Sequence, residues 1–275
     1  MFMTTMRLMT SSKDHAANPA IEFGYPMPSY IAAWKTYRTL SNEDDVIAKR
    51  LALTTKAART GNRILDVGPG DGRVLLRTLI RLDQRPSEVC VIEPNSEFIE
   101  ETLRAVSFDR FFDRIVPLCS KLADCTPDSL FGYDHIFCTH TAYFLNDEEM
   151  DVLLSLVSAG ARLCIVLDHP DSIFSRLWRR TASEYFRRAQ RHSERLLNLD
   201  RSKFIVNVGE IEAEVSNPFD LRDDIRDLVM SMLCYAETDD MLHEELASVE
   251  ATVRAALVGS VISCKSYFFD ITRSQ

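Results

Sequence analysis

Arg63–Leu75 reads RILDVGPGDGRVL, and the rest of the chain is organised around it. Ile64, Leu65 and Val67, with Asp66 among them, run directly into Gly68, Gly70 and Gly72, and helix-forming residues resume at Val74. This is the pattern of a buried strand, a turn too tight for side chains, and the start of a helix. Glycines at alternate positions let backbone approach a ligand closely, and the helix N-terminus behind them offers free N–H groups. The stretch therefore predicts a nucleotide-like ligand held at a strand–turn–helix junction.

Working outward, strands and helices alternate. Glu88–Ile92 (EVCVI) predicts a second buried strand ending at Glu93, followed by a helix over about 96–106. Arg114–Leu118, Asp134–Cys138 and Arg162–Leu167 predict three more strands, with a helix over 148–157. Such repetition implies a parallel sheet covered by helices on both faces. Upstream, Tyr30, Ile31, Trp34 and Tyr37 share one face of an aromatic-rich helix over 26–40. Ser41 and Asn42 are placed to cap a second helix, with Asp44 in a capping-box position. Beyond Asp168 the pattern changes. A long arginine-rich helical stretch runs from Phe174 to Leu197, and Phe204–Val215 alternates like a strand. A helical pair over 221–257, broken near Thr238, precedes a last strand at Val261–Ile271. The expected organisation is a disordered tail over 1–24, a main domain over 25–170 plus 260–275, and a substrate or lid insertion over 171–259.

The bulk numbers narrow the class. The chain has 275 residues, is 46% hydrophobic and carries a formal net charge of −9, which argues against a general binder of nucleic acid or anionic membranes. Interleaved Glu184 and Glu194 make the arginines of 176–195 a solvated helix face. No run approaches the roughly 18 apolar residues of a membrane span, and the first twenty residues do not read as a signal peptide. Seven cysteines without a CxxC pair, three of them inside apolar strands, predict a reduced, cytoplasmic protein.

A dinucleotide fold would want a third glycine at position 73, where this chain has Arg73. The spacing D-x-G-x-G-x-G instead resembles the first motif of class I S-adenosylmethionine-dependent methyltransferases. That resemblance implies an α/β Rossmann-like fold with a seven-stranded, mostly parallel sheet, helices on both faces and an α-rich insertion. It implies S-adenosylmethionine as cofactor, contacted by Asp66, Gly68, Gly70 and Gly72. Glu93 would accept from the two ribose hydroxyls, Ser120 and Lys121 would lie near the adenine edge, and Thr139 would touch the cofactor after the fourth strand.

The flanks are similar to the histamine N-methyltransferase family. The aromatic helix followed by Ser41–Glu43, VIEPNSEFIE, YDHIFCTHTAYFLND and FSRLW (Phe174–Trp178) carry that resemblance. It implies a small-molecule acceptor, with Glu43 facing an amine, His140 where the relative has a glutamine, and Tyr143 beside it. Tyr30, Phe174 and Trp178 would wall the pocket, and Lys265 would approach from the last strand. An acid with an added cation suggests an amino-acid-like acceptor rather than histamine. His140 could be the base that frees an amine's lone pair, with activity falling below a pKa of about 6.5, or a strand-end histidine bonded to backbone. Glu43 could equally favour its helix dipole, and Lys265 could be a solvated strand residue. No metal is called for, and the assembly is expected to be a monomer or homodimer. O- or C-methylation, or a non-catalytic binding protein, are the alternative functions.

Overall fold

The structure is a computed structural model and describes residues 27–56, 63–107, 111–181, 183–216 and 243–274. Seven strands form one sheet: β1 (Arg63–Val67), β2 (Glu88–Ile92), β3 (Ile115–Leu118), β4 (His135–Thr139), β5 (Arg162–Asp168), β6 (Phe204–Ser216) and β7 (Val261–Arg273). Their order is β3-β2-β1-β4-β5-β7-β6. The first five are parallel, while β7 runs antiparallel to both β5 and β6. The helices are α1 (Met27–Leu40), α2 (Glu43–Lys56), α3 (Arg73–Arg81), α4 (Ser96–Val106), α5 (Asp147–Ser158), α6 (Ile173–Thr181), α7 (Ser183–Leu197) and α8 (His243–Ala256).

The inner strands are apolar without interruption because both faces of the sheet are covered. Ile64, Val89, Val91, Phe137, Cys164 and Val166 pack on one face, and Leu65, Cys90, Ile92, Ile136, Cys138 and Ile165 on the other. This alternation within unbroken apolar runs is the side-chain period of two. It holds the C-terminal ends of β1, β2, β4 and β5 level, and there the candidate site lies.

Several expectations are adjusted. The helical stretch read over 174–197 is helical as α6 and α7, on either side of residue 182, which lies outside the described residues. The range expected as a lid insertion contributes β6 to the sheet itself, paired with β7 along its whole length. Asp44 does not close a capping box: its carboxylate lies 2.5 Å from the Arg38 guanidinium instead. The Asn42 side chain is likewise drawn away, accepting the Glu214 N–H at 2.8 Å and tying the start of α2 to β6. Ser41 does cap, its hydroxyl accepting the Glu43 N–H at 3.0 Å. The first helix of the pair expected over 221–257, up to the break near Thr238, lies outside the described residues, as does the tail.

Candidate active site

The turn after β1 is built as its glycines require. Gly68, Gly70 and Gly72 have φ of 68°, 58° and 76°, a left-handed conformation that favours glycine. At Gly68 there is no room for a side chain either, since a Cβ would fall 2.3 Å from the Thr141 side chain. Two threonines clamp the turn from opposite sides. Thr141 Oγ1 donates to the Gly68 carbonyl at 2.9 Å, and Thr102 Oγ1 to the Gly70 carbonyl at 2.7 Å. Asp71 accepts the Arg73 N–H at 3.1 Å and so caps the start of α3. Trp34 of α1 stands over Gly70 and meets Phe98 edge-on.

Two acids flank this turn. The Gly68 N–H donates to the Ile92 carbonyl at 2.8 Å, which brings the turn against the end of β2, one residue before Glu93. Glu93 is 7% exposed and accepts the Asn95 N–H at 3.1 Å. Asp66 is 3% exposed, and its Oδ1 has no hydrogen-bond partner. Burial pushes the Asp66 carboxyl up to about 7, and the charge of Glu93 adds to it. Burial also raises Glu93 to about 7, against the pull of the Asn95 and Gly70 N–H groups. Ser120 and Lys121 follow β3 near this end of the sheet. The Ser120 hydroxyl is engaged with Cys125 Sγ at 3.2 Å, and Cys119 Sγ reaches the Pro94 carbonyl. Thr139 ends β4, and its carbonyl accepts a second bond from Thr141 Oγ1 at 3.2 Å.

The second cluster joins α1, α2, β4, β5 and β7. Glu43, 5% exposed, accepts the Tyr37 hydroxyl on Oε2 at 2.8 Å, while its Oε1 lies 3.0 Å from His140 Nε2. The Nε2 contact is out of line for a straight hydrogen bond, so charge is its main component. His140 Nδ1 lies 2.7 Å from the Tyr143 hydroxyl, which is 3.1 Å from Asp168 Oδ2 and accepts the Asp168 N–H at 3.1 Å. Burial works against a charged His140, but the charge and contact of Glu43 outweigh it and hold the imidazole up at about 9. Reciprocally, burial disfavours the Glu43 carboxylate, and His140, Tyr37 and Arg38 together bring it below its ordinary range. Burial raises Asp168 to about 6 and keeps the Tyr143 phenol protonated well above its usual pKa. These states fix the bond directions. The imidazolium Nδ1–H and the Asp168 N–H both donate to the Tyr143 oxygen, and the phenol donates onward to the Asp168 carboxylate.

His140 reaches this position with a φ of 52°, and it is the non-glycine residue with positive φ among the described residues. That conformation costs a residue with a Cβ about 1–2 kcal/mol. Strain of this kind persists where surrounding contacts over-determine it, and it gathers at functional sites.

The sequence-predicted residues divide accordingly. Glu43, His140 and Tyr143 come together, with Phe174 buried beside them and its ring edge-on to Tyr37 at 5.0 Å. The inflection expected near pH 6.5 for His140 is corrected: beside Glu43 the ring carries its proton through neutral pH. Lys265 is not brought in, because side chains alternate along a strand and Cys264 and Ser266, its neighbours on β7, are the residues whose side chains face the cluster. The side chains of Tyr30 and Trp178 lie outside the described residues. Sequence reasoning missed Tyr37, Thr102, Thr141 and Asp168 as site residues. Only Asp168 carried a signal, as an acid ending an apolar strand in the way Glu93 does.

Sheet order and glycine turn together define a Rossmann-like class I methyltransferase fold. Among solved structures, the chain is similar to the plantazolicin methyltransferase BamL, determined with a triazolic desmethylPZN analogue and SAH. The two are 14% identical with a TM-score of 0.52, over 94% of this chain and 95% of that one. It is also similar to a putative methyltransferase (BH2331) of Bacillus halodurans, at 11% identity and a TM-score of 0.52, covering 82% of this chain and 97% of that one. The methyltransferase domain of bacterial CtHen1-C is 11% identical with a TM-score of 0.50, over 84% and 98% of the respective chains. At such identities the likeness is one of fold. No family model and no curated protein sequence matches the chain. Among the described residues no group of three or more His, Cys, Asp or Glu side chains is placed to hold a metal ion, and no helix is long and apolar enough to cross a membrane.

Proposed function

We propose that this chain is an enzyme that transfers the methyl group of S-adenosylmethionine to a small-molecule acceptor, a nitrogen of an amine or amino-acid-like metabolite. The observation that carries the reading is the left-handed glycine turn, clamped by Thr141 and Thr102 and flanked by Glu93 and the unpartnered Asp66. A turn without side chains admits a ligand against the backbone, and a buried carboxylate such as Glu93 suits two neutral hydroxyl donors. The likeness to histamine N-methyltransferases supports the acceptor class and rests on the flanking residues alone.

Bound there, the cofactor supplies an electrophilic methyl group on a sulfonium. The chain's own part is to hold the acceptor in line with that methyl and exclude water, which is worth on the order of 7–11 kcal/mol. Glu43 would anchor an acceptor ammonium by exchanging its His140 partner for the ligand. Once the Glu43 charge is so engaged, burial and Arg38 act on His140 against Asp168 alone, and the ring sheds its proton. Neutral Nε2 is then a base for the proton that the acceptor must lose. Tyr143, Asp168 and the strained backbone keep the ring aimed. A second reading, an oxygen acceptor, is favoured by one observation: both Glu43 oxygens are already occupied. A hydroxyl or carboxylate oxygen would then accept from the His140 imidazolium without displacing it.

Calorimetry with S-adenosylhomocysteine tests the enzyme reading, and absence of binding at high micromolar ligand would sink it. A metabolite screen with mass detection of the added methyl identifies the acceptor. For the amine it selects, Glu43→Gln is expected to raise KM at least tenfold, the scale of a lost charged contact. Unchanged KM would move the assignment to the oxygen reading.

A further inference from the structure

Asp66 is given no chemical task by the turn it precedes: Thr141 and Thr102 hold the turn, and Asp71 caps the helix. Yet it is a carboxyl group 3% exposed, with Oδ1 bonded to nothing. A buried polar atom left without a partner is rare enough to call for a ligand or a proton. The neighbouring acid is Glu93, brought close because β1 and β2 pair in parallel from Arg63↔Glu88 to Val67↔Ile92. Among the described residues no arginine, lysine or histidine bonds to either carboxylate. Two buried acids side by side without a cation cannot both ionise freely.

We propose that Asp66 and Glu93 hold one proton between them in the free protein, and that this proton leaves when the nucleoside part of the methyl donor binds. The inference rests on the cofactor reading above and adds a thermodynamic property to it. Ribose hydroxyls donate to the ionised form of Glu93, so binding favours that form over the neutral one. A proton on Glu93 is lost directly, and one on Asp66 is released because the two donated bonds offset the Glu93 charge that helped to hold it there. The ligand gains two donated bonds, the pair goes from one negative charge to two, and one proton appears in the buffer.

Among the described residues, the other titratable groups whose charge reaches the pair are silent near neutral pH. Cys138 on β4 feels Asp66, and Cys119 after β3 feels Glu93, but burial pushes both thiols up, where they stay protonated. The two carboxyls themselves lie at about 7, where a partner can take or return a proton cheaply. His140 and Asp168 belong to the other cluster and bond to neither acid.

The test is calorimetry of S-adenosylhomocysteine binding to the full chain at pH 7, repeated in buffers with different ionisation enthalpies. The apparent enthalpy is expected to vary linearly with buffer enthalpy, at a slope of about half to one proton released per ligand. Affinity should fall about tenfold from pH 8 to pH 6, as expected for one linked proton titrating near 7. Asp66→Asn should flatten both dependences. Binding with no buffer dependence in the wild type overturns this inference and leaves the cofactor reading standing. No binding at all overturns the cofactor reading itself. Because the wild-type buffer series is decisive alone, a poorly folded Asp66→Asn would not leave the question open.

Discussion

Gly68→Ala is expected to weaken binding of S-adenosylhomocysteine by about thirtyfold or more. Two physical terms add. An alanine at φ of 68° is strained by about 1 kcal/mol relative to glycine. Its Cβ would also lie 2.3 Å from both Thr141 Oγ1 and Cγ2, so the threonine must leave and its bond to the Gly68 carbonyl breaks. That bond contributes about 1 kcal/mol net, and the displaced backbone no longer presents the turn to a ligand. Titration calorimetry reads the result. Adding Thr141→Ala relieves most of the steric part, leaving a Cβ at 2.9 Å, and none of the φ part, so the double variant should recover only some of the affinity. Full binding by Gly68→Ala alone would mean that the ligand does not approach this turn.

The other large effect is on stability. The folded-state pKa of His140, about 9, lies above the unfolded value of about 6.5. The Glu43–His140 pair therefore contributes stability that is fully present below pH 6.5 and is lost as pH rises through about 9. The contribution is on the order of 3 kcal/mol, from the difference between about 9 and about 6.5. Glu43→Gln should remove this dependence and lower the melting temperature at pH 6.5 to 7, since it leaves a buried imidazole that is better neutral. Melting curves between pH 6 and 10 and the titration of the His140 Cε1–H resonance would show it. If the His140 resonance titrates near 9 in both proteins, the pairing is not what holds its proton. The Asp66–Glu93 pair acts in the same sense but at lower pH. Raised carboxyls cost stability progressively as pH climbs from about 4 to 7, so the two clusters separate by pH window.

What could be seen beforehand follows from locality. The parallel strands were legible because a strand covered on both faces is written as an unbroken apolar run, and the turn because left-handed backbone is written as glycine. Glu93 was legible as the acid at a strand's end. Tyr37 was not, because an aromatic on a helical stripe reads as core; its role depends on Glu43, six residues later, folding back as the first residue of α2. Thr141 and Thr102 are 73 and 32 residues from the carbonyls they hold. No local rule anticipates either. Asp44 had a correct local signal that lost to a charged partner, Arg38. Lys265 needed only parity, but which parity faces the site is settled by the pairing of β7 with β5. The strain at His140 has no clear sequence signal, since a histidine does not mark left-handed backbone as a glycine does.

The sheet order carries a consequence for how the chain acquires its shape. β7 follows β6 in sequence but lies between it and β5, so β6 has no place in the sheet until β7 is present. The five parallel strands can assemble from residues 63–168, whereas the antiparallel pair must dock afterwards as a hairpin-like unit whose contacts span about a hundred residues. Contacts of such separation slow folding, because loop closure precedes any gain from pairing. Asp168, which closes the His140 chain, sits at that seam opposite Ser266. During synthesis the glycine turn can therefore be in place before the His140 cluster, and a translating ribosome would release the two in that order.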